Sequence, residues 1–277
     1  MNKLIFGVYT MADPTLISMN NLLYSCSARK EYVSQQFIGE NILCYIIAGE
    51  LSVQTQKGLQ ILPAGNLGLF RRQQLIKSVQ VPPTGGDFQS ISIILDQAFL
   101  SQYAEKAQIA RQQRYLGDPL RIMPSDELLT GYFESILSYF KLNKPLIPAI
   151  ANLKTQEAVA LLLNLEPELE KVLFDFSEPE KIDLEEFMKQ NFIYNVRSAD
   201  FAKLTGRSLA TFKRDFEKIF KATPSQWLLD KRLREAHYLI KQKGKKPLDV
   251  YLNVGFENLS HFSFAFKKAF GKAPSRI

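Results

Sequence analysis

The sequence predicts an α+β fold: an N-terminal β-sandwich or barrel followed by helices, then an all-α C-terminal domain with two helix-turn-helix units. Three observations lead there. Over residues 15–95, short apolar stretches alternate with Gly and Pro punctuation, which marks successive strands. Over residues 97–176 the apolar spacing turns helical. Within residues 198–277 one motif occurs twice, fifty residues apart: Phe212, Phe216, Phe220 and Pro224-Ser225 return as Phe262, Phe266, Phe270 and Pro274-Ser275.

A chain of 277 residues that is 46% hydrophobic is long enough for two domains with their own cores, drawn here at 1–177 and 178–277. No run of about 18 apolar residues occurs, so no membrane span is expected. Residues 1–12 contain Leu4, Ile5, Phe6 and Val8, but Gly7, Tyr9 and Thr10 interrupt them and no cleavage context follows. No secretory signal is therefore expected, and the chain is placed in the cytoplasm. Cys26 and Cys44 lie among apolar residues without metal-ligand spacing and read as buried thiols of a reducing compartment.

In chain order, residues 44–48, the pair Gly49-Glu50 and the alternating residues 51–56 read as a hairpin. Lys57-Gly58 then turns into residues 59–62, and Pro63-Ala64-Gly65-Asn66 turns into residues 67–70. Residues 88–95 supply another apolar strand after Gly85-Gly86. Residues 126–142 place apolar side chains at i, i+4 and i+7 behind an acidic first turn, and Pro145 and Pro148 break that helix. A second helix over 153–165 carries Ala158, Val159, Leu161, Leu162 and Leu163 and stops before Pro167. Residues 166–181, charged and containing Pro167 and Pro179, read as the interdomain connection. Residues 183–192 form the next helix, with Asp183 as its cap, Glu186 three residues on, and Phe187, Met188 and Phe192 on its core face.

In the duplicated region, phenylalanines four residues apart share one helix face, and the polar residues between them point the other way. A short helix, a glycine turn at Gly206 or Gly255, and a second helix make each unit. Between the units, Thr223-Pro224-Ser225-Gln226 is a capping box with proline at the first helical position. A helix then runs without a breaker to Gly244, burying Trp227, Leu228, Leu233, Ala236 and Ile240. Its length, about 30 Å, is close to one turn of B-DNA at about 34 Å. Charge agrees: residues 197–277 hold 18 Lys and Arg against 7 Asp and Glu, while residues 1–177 hold 15 against 16. A basic domain attracts the phosphate backbone. A solvated lysine-rich surface is the alternative for a basic helix alone, and the duplication argues against it.

The segment from Gly255 through Phe262, Phe266 and Phe270 to Pro274-Ser275 resembles the signature of AraC/XylS-type transcription regulators, and Gly206 to Phe216 resembles that family's first unit. The resemblance implies a seven-helix domain whose helices starting near Ser208 and Asn258 enter adjacent major-groove segments of double-stranded DNA. The strand order with the Pro63-Ala64-Gly65-Asn66 turn resembles, more weakly, the cupin-like sensor domains attached to many of these regulators. Metal-binding cupins converge histidines and a carboxylate inside the barrel. Here the only histidines, His237 and His261, lie in the C-terminal half, so no metal or other cofactor is expected. Anything held by the barrel is an organic ligand or a contact from a partner protein.

With Phe212 and Phe216 inside, Ala210, Thr211, Lys213, Arg214 and Glu217 face outward. The resemblance makes Ala210, Lys213 and Arg214 base-facing. Arg214 would bridge guanine O6 and N7; a phosphate contact or an ion pair is the alternative. The second helix presents Leu259, Ser260, Ser263 and Phe264. Phe264 stands where the family usually has arginine or another polar residue, and three roles are open to it: meeting a thymine methyl, wedging at a base step, or turning inward to pack. Lys267, Lys268 and Arg207 read as phosphate anchors, His261 as a packing or phosphate-contact residue, and Lys241, Lys243, Lys245 and Lys246 as a solvated loop.

The resemblance thus implies a DNA-binding transcription regulator, an activator that recruits RNA polymerase. It would work as a homodimer and be controlled through its N-terminal domain by a small molecule or a regulatory protein. In the family, helices placed at 126–165 commonly pair two subunits; packing on the barrel's own face is the competing use. Two rival classes stand beside this reading. One is an architectural DNA-binding protein with little sequence preference. The other is a DNA-repair enzyme fusion, which needs an activated cysteine; neither cysteine lies in such a motif and no histidine occurs in the first 236 residues, so no enzymatic activity is expected.

Overall fold

The structure, a computed structural model, describes residues 15–27, 32–55, 58–110, 112–142 and 147–277. The N-terminal run 1–12, Gln56 at the end of the expected strand, Lys57 of the expected turn, and Pro145 lie outside the described residues. Apart from Gln35–Phe37, two compact units divide between Ser177 and Glu178.

The first unit contains β1 (Thr15–Met19), β2 (Leu22–Ser27), β3 (Tyr32–Ile38), β4 (Asn41–Ala48), β5 (Glu50–Thr55), β6 (Gly58–Pro63), β7 (Asn66–Phe70), β8 (Gln74–Val81), β9 (Phe88–Leu95) and β10 (Leu120–Pro124). They form a six-stranded sheet, β1-β2-β9-β4-β7-β10, and a four-stranded sheet, β3-β8-β5-β6. Ile42, Cys44 and Ile46 of β4 pack between the sheets with Val53, Leu62, Ile76 and Phe88. The alternate residues Leu43, Leu67, Leu69, Ile91 and Ile93 point the other way, into a second core shared with the helices. This period-2 division explains why β4 and β9 read as nearly continuous apolar runs: both faces are covered.

One expectation is corrected here. Residues 44–48 and 51–56 are not a hairpin: β4 pairs with β9 and β7, whereas β5 pairs with β6 and β8. The chain changes sheets at Gly49, whose φ is +82° and where a Cβ would lie 2.4 Å from the Val81 carbonyl oxygen. The local pattern signals a bend, but which sheet each arm joins is decided by distant strands.

The helices of this unit are α1 (Gln97–Lys106), α2 (Glu127–Lys141), α3 (Pro148–Leu165) and, after a 3-10 turn at Pro167–Leu169, α4 (Glu170–Leu173). Asp126 caps α2 by accepting the Leu129 N–H. The apolar face of α2, with Leu129, Tyr132, Phe133, Ile136 and Phe140, is buried. Phe133 stacks on Tyr45 at 4.6 Å and Phe140 lies 5.6 Å from Tyr24, so this face is spent on the unit's own sheet. Pro148 opens α3 at its first turn instead of breaking a helix, because a helix start needs no N–H there. The expected connection also shortens at its front: Leu169, Val172, Leu173 and Phe174 are core, and buried Arg72 donates to the Asp175 and Ser177 carbonyls. Among the described residues no helix is long and apolar enough to cross a membrane.

The second unit holds α5 (Leu184–Asn191), α6 (Ser198–Leu204), α7 (Leu209–Phe220), α8 (Pro224–Lys241), α9 (Pro247–Val250) and α10 (Leu259–Phe270), closed by a 3-10 turn at Pro274–Arg276. That is six α-helices where the resemblance implied seven. Asp183 caps α5 as expected, accepting the Glu186 N–H. The Thr223 and Gln226 capping box forms at the start of α8. The 18 residues of α8 give about 27 Å of helix, and Leu228, Leu233, Ala236 and Ile240 are its buried face. Trp227 packs 5.6 Å from Phe216 and 4.6 Å from Phe220, within the protein.

Candidate nucleic-acid interface

The sequence duplication is a duplication of structure. Both α7 and α10 have 12 residues, are N-capped by Ser208 and Asn258, and end on a left-handed residue, Lys221 at φ 53° and Gly271 at φ 74°. Phe212 and Phe216 are fully buried, as are Phe262 and Phe266, and the rings of each pair are 5.5 Å apart. Each helix is preceded by a glycine with positive φ, Gly206 or Gly255, where a Cβ would meet backbone atoms within 2.5 Å. The two turns differ in length: Gly206 stands two residues before its cap and Gly255 three.

With the phenylalanines inside, the opposite faces are set. On α7, Ala210, Lys213, Arg214 and Glu217 are exposed and Thr211 is half-buried, its hydroxyl accepting from Ser208. The Arg214 side chain is 76% exposed, with Asp215 3.3 Å away as its anion. Asp215 is shared with Arg207 at 3.2 Å and Lys181 at 3.9 Å. Burial raises the Asp215 carboxyl, but the hydrogen bonds from Arg207 and Arg214 and the charge of Lys181 hold it below the usual carboxylate value. Arg214 is thus loosely tied to an anion already held by a better-placed arginine. On α10, Ser260, His261, Phe264, Lys267 and Lys268 are exposed, and Ser263 and Leu259 are half-buried, with Leu259 leaning on the unit's core. Phe264 is 71% exposed, which removes the inward-packing role.

Arg207 requires a correction. Its side chain is 7% exposed and donates to Asp215 and to the carbonyls of Ile182 and Thr205. A guanidinium committed to three internal acceptors joins the first unit together and is not presented to a phosphate.

Comparison with known proteins agrees with both units. A family profile described as a helix-turn-helix domain matches residues 201–277, and one described as the ExsA N-terminal regulatory domain matches residues 41–174. The HTH-type transcriptional regulator ExsA of Pseudomonas aeruginosa is 26% identical over 239 residues, 83% of this chain and 83% of that protein. The virulence regulon transcriptional activator VirF of Yersinia enterocolitica is 24% identical over 84% of this chain and 87% of its own length. The chain is a transcription regulator with an AraC-type helix-turn-helix domain at its C-terminal end. A crystal structure of apo ToxT from Vibrio cholerae aligns with a TM-score of 0.47 at 15% identity, covering 93% of this chain and 96% of that one.

In this AraC-type regulator one residue that sequence reasoning passed over joins the two helix-turn-helix units. Arg232 of α8 donates to the carbonyls of Phe192 and Tyr194, each at 2.8 Å, and of Gly255 at 3.2 Å. It also reaches the Asn195 side-chain oxygen at 3.4 Å, and the Asn195 amide donates to Glu257 at 2.6 Å. Burial pushes the guanidinium down to about 10, still cationic at neutral pH. Linker helix, the loop before α6 and the turn before α10 therefore meet on one side chain. A Cβ at Gly255 would lie 2.9 Å from the Arg232 Nε, so the turn can approach only as glycine. No motif announced this, because the partners are mainly backbone carbonyls distant in sequence.

Both cysteines are shifted away from the thiolate. Burial pushes the Cys44 thiol up to about 11, and burial together with the Asp87 carboxylate raises Cys26. An activated thiolate requires the opposite shift. Among the described residues no three His, Cys, Asp or Glu side chains gather as a metal site.

Proposed function

We propose that this regulator is a transcriptional activator that reads two adjacent major-groove segments, α7 in one and α10 in the next. The observation that carries this is the pair of matched helices, capped alike and anchored by the same phenylalanine spacing, on a unit with 18 Lys and Arg against 7 Asp and Glu over residues 197–277. Arg214 reads guanine, Ala210, Thr211 and Lys213 complete the α7 surface, and Ser260, Ser263 and Phe264 form that of α10, with Leu259 at its edge. Lys267 and Lys268 hold phosphates, supplying the salt-sensitive part of the affinity.

Activation is supported by VirF, named a transcriptional activator, and implies contact with RNA polymerase at the promoter, in the cytoplasm. The N-terminal unit receives the controlling signal, from a small molecule or a regulatory protein. A homodimer forms through α2 and α3, where Leu128, Leu142 and Leu153 are 61%, 64% and 63% exposed beside the buried face. The test is selection of bound sequences from random duplex DNA with the full-length chain. The expected product is a site with two short elements about one helical turn apart; unenriched DNA would instead assign an architectural role.

A further inference from the structure

We infer that the two recognition helices read opposite chemistry, and that Phe264 is the specificity residue of the second: its ring covers the 5-methyl group of a thymine. The inference rests on the reading of α7 and α10 as DNA-reading helices. The fifty-residue duplication aligns Phe264 with Arg214, so one structural position holds a guanidinium in the first unit and a phenyl ring in the second. Both side chains point away from their cores, at 76% exposure for the Arg214 side chain and 71% for Phe264.

Phe264 is the only exposed phenylalanine among the described residues. An exposed ring on a helix otherwise carrying Ser260, Lys267 and Lys268 on the same face gains from burial only when a partner covers it. The partner's backbone must be anionic, since the two lysines flank the ring at the next turn. The early part of α10, whose side chains face base edges, also lacks the groups that hydrogen-bond those edges bidentately: it has no Arg, Lys, Asn or Gln from Leu259 to Phe266. On the major-groove floor the one apolar group of a base pair is the thymine methyl. A phenyl ring at this position selects it over cytosine, which has hydrogen there, and over purines, whose groove edges carry polar atoms.

Uracil replaces thymine without its methyl and leaves pairing unchanged, so it isolates the contact. On the site selected with the full-length chain, each thymine is replaced singly by uracil, and affinity is measured for the natural chain and for Phe264→Ala and Phe264→Leu. Covering one carbon corresponds to about a fourfold change in affinity. The expected result is a loss of about fourfold at one or two adjacent thymines of the second element, absent in Phe264→Ala and kept in part by Phe264→Leu. Because the ring is exposed, both variants remain folded, which circular dichroism checks. A natural chain indifferent to every uracil, or a uracil penalty that persists in Phe264→Ala, overturns the inference while leaving sequence-specific binding intact. DNA bending lost in Phe264→Ala without any uracil effect assigns a wedge and overturns it equally. Failure to select any site overturns the underlying reading, and this inference with it.

Discussion

At the scale of single residues, two arginines on the same helical unit have separate tasks set by burial. Arg214 is open to a partner, whereas Arg207 is spent inside on Asp215 and two carbonyls. Arg214→Ala is expected to weaken binding to the selected site by about 1–3 kcal/mol while changing binding to random duplex less. Equal losses on both DNAs, by fluorescence anisotropy, would make it a phosphate contact. Arg207→Ala is expected to lower stability by about 1–3 kcal/mol, since it strips partners from buried acceptors, with DNA specificity retained at a temperature where the variant is folded. Lys268→Ala is expected to weaken all duplexes alike and to reduce the salt dependence of binding by about one unit of slope. The sequence set Arg214 apart from the phosphate anchors but misread Arg207 as one, because a charged side chain in a turn looks the same whether it faces solvent or three internal acceptors.

At the scale of elements, much was legible because it was periodic or punctuated. The phenylalanine spacing of α7 and α10, the Asp183 and Thr223 caps, and the apolar runs of β4 and β9 all follow from local rules. What local rules missed was non-local: the corner at Gly49, the assignment of β10 to the edge beside β7, and the use of Leu169 to Phe174 as core. Lys221 shows the same helix end made twice with unequal residues, since it holds the left-handed conformation that Gly271 adopts freely. Lys221→Gly is therefore expected to raise stability by about 1 kcal/mol, read as a higher midpoint in urea. For α2, Phe133→Ala is expected to cost about 3–5 kcal/mol, because its ring is buried on Tyr45. If it gave instead a stable chain that had only lost self-association, the Phe133 face of α2 would be the dimer contact and not core.

At the scale of the whole molecule, the sequence divides into a charge-balanced front and a basic end, and the structure into two units at nearly the same place. The basic end is more than two motifs on a string. Arg232 and Gly255 lock the linker helix, the loop before α6 and the turn before α10 into one body, and such a body can accept only one separation of the DNA elements it reads. The most direct test measures the affinity of the full-length chain for its selected site and for the same site with five base pairs inserted between the two elements. That insertion turns the second element about half a helical turn away from the first. Binding of the altered site is expected to fall to the level of random duplex. Unchanged affinity would contradict the reading of two helix-turn-helix units held on one rigid frame.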